Sequence, residues 1–242
     1  MVDNKKYKVL ARKYRPQKFD NLIGQNSLVS ILSNSILNYR IAHAYVLTGV
    51  RGVGKTTTAR LIAMSLNCHK KEAKSCEPCG NCDSCISIRG DRNLDVIEID
   101  AASKTGVDDM REIIDNVKYK PVSSAFKIFI IDEVHMLSKQ AFNALLKTLE
   151  EPPEYLKFIF ATTEIKKIPV TVVSRCQRFD LKRIKSSELL EYIKKIKEKE
   201  NGKVSDDALK LIVKLSEGSV RDALSLLDRA LLTLNNNEEF DL

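Results

Sequence analysis

The sequence predicts an α/β fold: a central parallel five-stranded sheet covered by helices, followed by a small C-terminal three-helix domain. Three observations carry that expectation. Short, mostly apolar runs alternate with segments whose apolar residues recur at helical spacing, the pattern of a sheet buried on both faces. A glycine-rich turn, GVRGVGKTT at 49–57, joins the first such run to a helix. After about residue 181 the strand-like runs stop and only helical spacing remains.

Taken in order, Ser27 is placed to cap a helix carrying Leu28, Ile31, Leu32 and Ile36. AYVLT (44–48) reads as the first strand, and a helix through Thr57–Leu66 follows the glycine turn. DVIEID (95–100) is the second strand, after which Met110, Ile113, Ile114 and Val117 mark one helix face. KIFIID (127–132) is the third. Phe142, Leu145, Leu146 and Leu149 then repeat the helical spacing until Pro152-Pro153 stops it. KFIFATT (157–163) and RCQRFDL (175–181) complete the sheet. Beyond it, Ser187 precedes a helix bearing Leu189, Leu190, Ile193 and Ile196, which Gly202 ends. Ser205 with Asp206 and Asp207 opens the next, and Ser219 with Asp222 three residues later opens the last. The expected domains are 1–180, nucleotide-binding, with a cysteine module at about 66–90, and 181–242, a helical lid.

The net charge of +8, from 40 basic against 32 acidic residues, favours a polyanionic partner such as nucleic acid. No run approaches the ~18–20 apolar residues of a membrane span. The basic N-terminus lacks the apolar stretch of a signal peptide, so a cytoplasmic protein with no membrane partner is expected. In that compartment six cysteines point to metal or reduced thiols and away from a disulfide framework.

Gly49-x4-Gly54-Lys55-Thr56 has the spacing of a phosphate-binding loop, set after a strand and before a helix as that chemistry requires. The loop Gly49, Val50, Arg51, Gly52, Val53, Gly54, Lys55, Thr56 and Thr57 can turn its N–H groups toward phosphates, aided by the helix N-terminus. Lys55 suits the β/γ oxygens of ATP, and the Thr56 hydroxyl suits Mg²⁺. The third strand ends Asp132-Glu133, delivering two acids to the sheet edge where ligands bind in such folds. Asp132 fits the Mg²⁺ shell, and Glu133 can polarise a water for in-line attack on the γ-phosphate. A kinase needs no water-activating acid there; the pair indicates hydrolysis.

Residues 68–85, CHKKEAKSCEPCGNCDSC, place Cys68, Cys76, Cys79, Cys82 and Cys85 in competition for one metal. Cys-x2-Cys steps and four thiolates make a closed zinc site. A ferredoxin-like iron–sulfur run would end C-x3-C-P, whereas this one ends C-x2-C-Ile, so zinc is expected, in a structural role.

These motifs, with ARKYRPQKFDNLIGQ (11–25), AFNALLKTLEEPPE (141–154), ATT (161–163), SRC (174–176) and GSVRDALSL (218–226), resemble the AAA+ clamp loaders of bacterial DNA polymerase III over nearly the whole chain. The resemblance implies a P-loop ATPase subunit that opens the sliding clamp and loads it onto primer–template DNA, working with other clamp-loader subunits. It gives Thr163 as a γ-phosphate sensor, Arg221 as a second sensor carried by the lid, and Arg175 as an arginine finger acting on a neighbouring subunit. Tyr14-Arg15-Pro16 resembles the segment that packs by the adenine. For zinc it implies Cys68, Cys79, Cys82 and Cys85. The spacing from Cys68 to Cys79 is two residues longer than the family pattern, so an exchange of Cys76 for Cys68 stays open. SKTGVDDMR (103–111) resembles a DNA-facing helix start, giving Lys104 and Arg111 as contacts. The family's oligomerising collar is absent from these residues, so the isolated chain is expected to be a monomer. Two other readings compete: another AAA+ DNA-remodelling motor, such as a branch-migration helicase subunit, and a nucleotide-binding scaffold that hydrolyses nothing.

Overall fold

The structure is a computed structural model and describes residues 7–72, 75–103 and 107–233, with the side chains of 107–111 outside that description. The chain packs as two compact units: Gln17–Gly49 with Lys55–Leu181, and Met1–Pro16 with Val50–Gly54 and Lys182–Leu242. Packing thus groups the lead-in arm and the tip of the glycine turn with the C-terminal helices, an allocation that a single boundary near 180 does not express. In chain order the elements are α1 (Leu10–Lys13), α2 (Asn26–Leu37), β1 (Ala44–Thr48), α3 (Lys55–Leu66), α4 (Asp83–Arg89), β2 (Val96–Asp100), α5 (Val107–Val117), β3 (Lys127–Asp132), α6 (Lys139–Glu150), β4 (Leu156–Thr162), α7 (Val170–Val173), β5 (Gln177–Asp180), α8 (Ser186–Lys199), α9 (Asp206–Ser216) and α10 (Val220–Thr233).

In the larger unit the five strands are parallel, in the order β2-β3-β4-β1-β5. The register sets Thr48 beside Thr162 and Asp180, and Asp100 beside Asp132, so these strand ends share one edge. β1 and β4 are buried along their whole length, which is why they read as mostly apolar runs. Phe158 stacks on Phe160, with ring centroids 5.6 Å apart, and meets Phe129 at a tilt, with centroids 5.8 Å apart. Val46, Ile131, Leu145 and Leu149 pack in the same core, each burial stabilising by about 1.5–3 kcal/mol.

Three details correct the sequence expectations. Ser27 does not cap α2, which starts at Asn26 after Gln25 without a side-chain cap. Leu28, Leu32 and Ile36 take its inward face four residues apart, which leaves Ile31 half exposed at 50%. Ser187 does not precede α8 but lies inside its first turn. The second strand begins at Val96, because Asp95 is turned to other use: its carboxylate accepts hydrogen bonds from the N–H groups of Val122, Ser123 and Ser124 at 2.7–2.8 Å.

In the other unit α8, α9 and α10 bury Leu189, Ile193, Leu209, Leu224 and Leu227. Ser205 caps α9 by accepting from Ala208 N at 3.2 Å, and Ser219 caps α10 by accepting from Asp222 N at 3.2 Å, as expected. The arm is tied to these helices. Tyr7 donates to Asp228 at 2.7 Å, Lys13 pairs with Glu200 at 2.6 Å, and the Tyr14 hydroxyl also donates to Glu200.

Candidate nucleotide site and metal centre

The site in the larger unit is built where β1, β3 and β4 end. Lys55, the first residue of α3, is 5% exposed and donates its Nζ to Gly49 O at 3.0 Å. Thr56 Oγ1 donates to Asp132 Oδ2 at 2.6 Å, although the two residues lie 76 apart in sequence. Asp132 closes β3, its Oδ1 accepting from Glu133 N at 3.0 Å. Glu133 then turns the chain at φ +47°, a left-handed backbone that non-glycine residues adopt rarely and that clusters at functional sites. Its Oε2 accepts from both Thr163 N at 3.2 Å and Thr163 Oγ1 at 3.1 Å. The fold therefore brings together Lys55, Thr56, Asp132, Glu133 and Thr163.

Two loop glycines are required by geometry. Gly54 has φ +105°. At Gly52, φ is +81° and an added Cβ would meet Ser219 Oγ at 1.9 Å. Both belong to the unit of the C-terminal helices, where Arg221 N donates to Gly52 O at 3.3 Å. Arg175, in the larger unit, pairs with Glu150 at 2.7 Å and donates to Thr171 O at 2.6 Å. Lys104 lies outside the described residues, as does the side chain of Arg111.

Sequence reasoning missed His135 and Thr162. His135 Nδ1 lies 2.9 Å from Thr162 Oγ1 and 3.5 Å from Glu133 Oε2. The signal was available, since a histidine two residues after paired strand-end acids falls in the turn that aims them.

The sulfur atoms of Cys68, Cys79, Cys82 and Cys85 all lie within 4.8 Å of one another. The Cys68–Cys82 and Cys79–Cys85 separations are both 4.0 Å, close to the about 3.8 Å edge of a tetrahedron with Zn–S bonds of about 2.3 Å. Local backbone also suits thiolates: Cys79 N donates to Cys68 Sγ at 3.3 Å, Cys82 N to Cys79 Sγ at 3.3 Å, and Cys85 N to Cys82 Sγ at 3.5 Å. Burial pushes the Cys68 and Cys85 thiols up. At Cys82 burial acts the same way but is outweighed by the N–H groups of Cys85 and His69, and the thiol falls to about 6. Cys76 stands apart, buried, with its Sγ donating to Ser33 Oγ at 2.9 Å. The donor set fits one zinc ion.

A family model described as DNA polymerase III, delta subunit, matches residues 24–185. A second, described as DNA polymerase III clamp loader subunit, ATPase lid domain, matches residues 188–235. The chain belongs to the DNA polymerase III clamp-loader family. Among its relatives in that family, DNA polymerase III subunit tau/gamma of Haemophilus influenzae is 50% identical over 225 residues, 93% of this chain and 32% of that protein. DNA polymerase III subunit tau of Escherichia coli is also 50% identical, over 93% of this chain and 35% of that protein. The chain therefore spans about a third of the length of these clamp-loader relatives. Among solved structures, the Thermotoga maritima RuvB Holliday junction branch migration motor superposes with a TM-score of 0.64 at 23% identity, covering 90% of this chain and 65% of that one. At that identity the likeness shows the shared fold alone. Among the described residues no helix is long and apolar enough to cross a membrane.

Proposed function

We propose that this chain is the ATP-hydrolysing part of a DNA polymerase III clamp-loader subunit, which uses ATP to open the sliding clamp and load it onto primed DNA. The observation that supports it best is the meeting of the phosphate-loop hydroxyl with the strand-end acid, Thr56 Oγ1 on Asp132 Oδ2 at 2.6 Å, with Glu133 next in the chain. Thr56 and Asp132 would hold Mg²⁺, which when bound supplies positive charge to the phosphate oxygens. Lys55 exchanges its bond to Gly49 O for the β/γ oxygens of ATP. Glu133 takes a proton from the attacking water as the water oxygen bonds to the γ-phosphorus and the bond to ADP breaks. Thr163 is placed to sense the γ-phosphate through the same hydroxyl that now binds Glu133.

Arg175, resting on Glu150, serves a neighbouring subunit's ATP, and Arg221 serves its own from the lid. Lys104 and Arg111 contact DNA phosphates. Cys68, Cys79, Cys82 and Cys85 would hold a structural zinc. The partners are the other clamp-loader subunits, the clamp and primer–template DNA, in the cytoplasm. The test is ATP turnover by the full-length protein, assembled with its partner subunits, clamp and primed DNA. Lys55→Ala should abolish nucleotide binding. Glu133→Gln should keep binding and lower turnover by about 10²–10⁴-fold. Normal hydrolysis by Glu133→Gln would overturn the assignment.

A further inference from the structure

His135 is the buried titratable group beside the acids that the reading above leaves unused. Its side chain is 6% exposed, on the short 3-10 turn Val134–Met136 that follows the left-handed Glu133. A ring so enclosed is set by its contacts. Nδ1 faces Thr162 Oγ1 at 2.9 Å, and Nε2 faces Glu164 Oε1 at 3.5 Å. Both anchors are themselves fixed. Thr162 is fully buried at the end of β4 and accepts from Glu164 N at 2.9 Å, while Glu164 pairs with Lys167 at 2.9 Å. The second contact of Nδ1 is Glu133 Oε2 at 3.5 Å.

Among the described residues the hydrogen bonds to the Glu133 carboxylate, from Thr163 N and Thr163 Oγ1, both fall on Oε2, and the imidazole Nδ1 lies 3.5 Å from that same oxygen. Oε1 is thereby kept apart from the bonds that fix the group. We propose that His135 is a positioning residue for Glu133: its Nδ1–H, anchored on Thr162, holds Oε2 against Thr163 and leaves Oε1 to receive the proton of the attacking water. This rests on the reading of Glu133 as the water-activating acid. The arrangement also gives the end of β4 a double duty. Thr163 holds Glu133 directly, and Thr162, one residue earlier, holds it through the ring. A shift of this strand end alters the aim of the base from both sides at once.

The experiment uses the full-length protein in its assembled complex with clamp and primed DNA. Steady-state ATP turnover and the affinity for a non-hydrolysable ATP analogue are measured for His135→Ala, His135→Asn and His135→Gln, with Glu133→Gln alongside. Because a base moved by about 1 Å loses about 10²-fold in rate, His135→Ala should lower kcat by about that factor while analogue affinity stays within about twofold. Asparagine can place an N–H near the position of Nδ1, whereas glutamine reaches toward that of Nε2. His135→Asn should therefore recover most of the rate and His135→Gln should not. Wild-type turnover in His135→Ala overturns the proposal, as does a loss of analogue affinity that matches the loss of rate. Should the alanine variant fail to fold, equal rates in the asparagine and glutamine variants overturn it. Glu133→Gln separates the two ideas: if it turns over normally, the role of Glu133 itself falls, whereas if it is inactive and His135→Ala is not, only the role of His135 falls.

Discussion

The two side-chain clusters of the larger unit are built on opposite plans. The cysteine cluster draws its four sulfurs from residues 68–85, a single short stretch, and each of them meets other sulfurs or local N–H groups. A site of four cysteines leaves no open position for a substrate. The acid cluster gathers Thr56 from the first turn of α3 and Asp132, Glu133, His135 and Thr163 from the ends of β3 and β4 and the turns that follow them. The hydrogen bonds that Glu133 accepts, at 3.1 and 3.2 Å, both load one oxygen, and His135 Nδ1 lies 3.5 Å from the same atom. Long, one-sided bonds are easily exchanged for others, which a reacting base requires and a structural crosslink does not. The difference teaches that in this molecule the sealed polar groups are committed to the fold, while the partly loaded ones keep the freedom that the proposed chemistry needs.

The sharpest break of that contrast is a crossed pair of variants. Glu133→Gln should lower turnover by about 10²–10⁴-fold with little change in thermal midpoint or zinc content. Cys82→Ser should do the reverse, because metal binding is coupled to folding. Elemental analysis should show zinc lost and the thermal midpoint should fall, while nucleotide affinity per folded molecule stays near wild type. A Cys82→Ser protein that keeps one zinc per chain, or an untreated protein carrying iron, would undo the assignment of the metal.

The two plans also explain what could be read from the sequence. The cysteine ligands are close in the chain, so spacing narrowed the choice to five residues and the family resemblance to four; geometry then separated Cys76 by its bond to Ser33. The sheet was legible because strands buried on both faces are mostly apolar. Lys55, Thr56 and the two acids stood out because phosphate chemistry calls for that residue type and spacing, and the structure brings Thr56 onto Asp132. What spacing could not show was contact across the fold. That Glu133 meets Thr163, or that His135 is held by Thr162, depends on the register of β3 and β4, which no local pattern encodes. The cap read at Ser27 and the helix start read after Ser187 were misplaced for a related reason: tertiary packing of Leu28, Leu32 and Leu189 decides where those helices begin more than a single hydroxyl does.

Asp95 sharpens the contrast within one residue class, since it is a carboxylate like Glu133 but fully engaged. It is 1% exposed, and both its oxygens accept N–H groups from the 122–124 turn. Burial alone would raise its pKa, but those N–H groups outweigh it and hold the carboxyl below its ordinary range. A folded-state value below the unfolded one means the stabilisation is complete above the ordinary value of about 3.9 and fades as pH falls through it toward the folded value. Asp95→Asn should cost about 2–3 kcal/mol at neutral pH, read by urea unfolding. It should also flatten the loss of stability that the wild type shows below about pH 4. An unchanged acid limb in the variant would show that the charge at Asp95 is not what ties the turn.

The smallest expected effect belongs to Cys76, and it tests whether the cysteine centre is as closed as its geometry indicates. Cys76 lies in the same stretch as the four ligands and is buried, so spacing alone cannot exclude it. Its sulfur is engaged elsewhere, donating to Ser33 on α2, and its carbonyl accepts from Ser65 on α3. The second bond is made by the backbone and survives any side-chain change. Serine at 76 has a shorter side chain, so the contact to Ser33 is weakened, not deleted. Losing part of one neutral hydrogen bond and a little packing costs about 0.5–1.5 kcal/mol. Cys76→Ser should therefore keep one zinc per chain, lower the thermal midpoint by a few degrees at most, and leave turnover unchanged. Competition with a chelating dye should give the same zinc affinity as the wild type. If Cys76→Ser instead released the metal while Cys68→Ser retained it, the ligand at the first position would be Cys76, and the grouping of Cys68 with Cys79, Cys82 and Cys85 would not be the metal site.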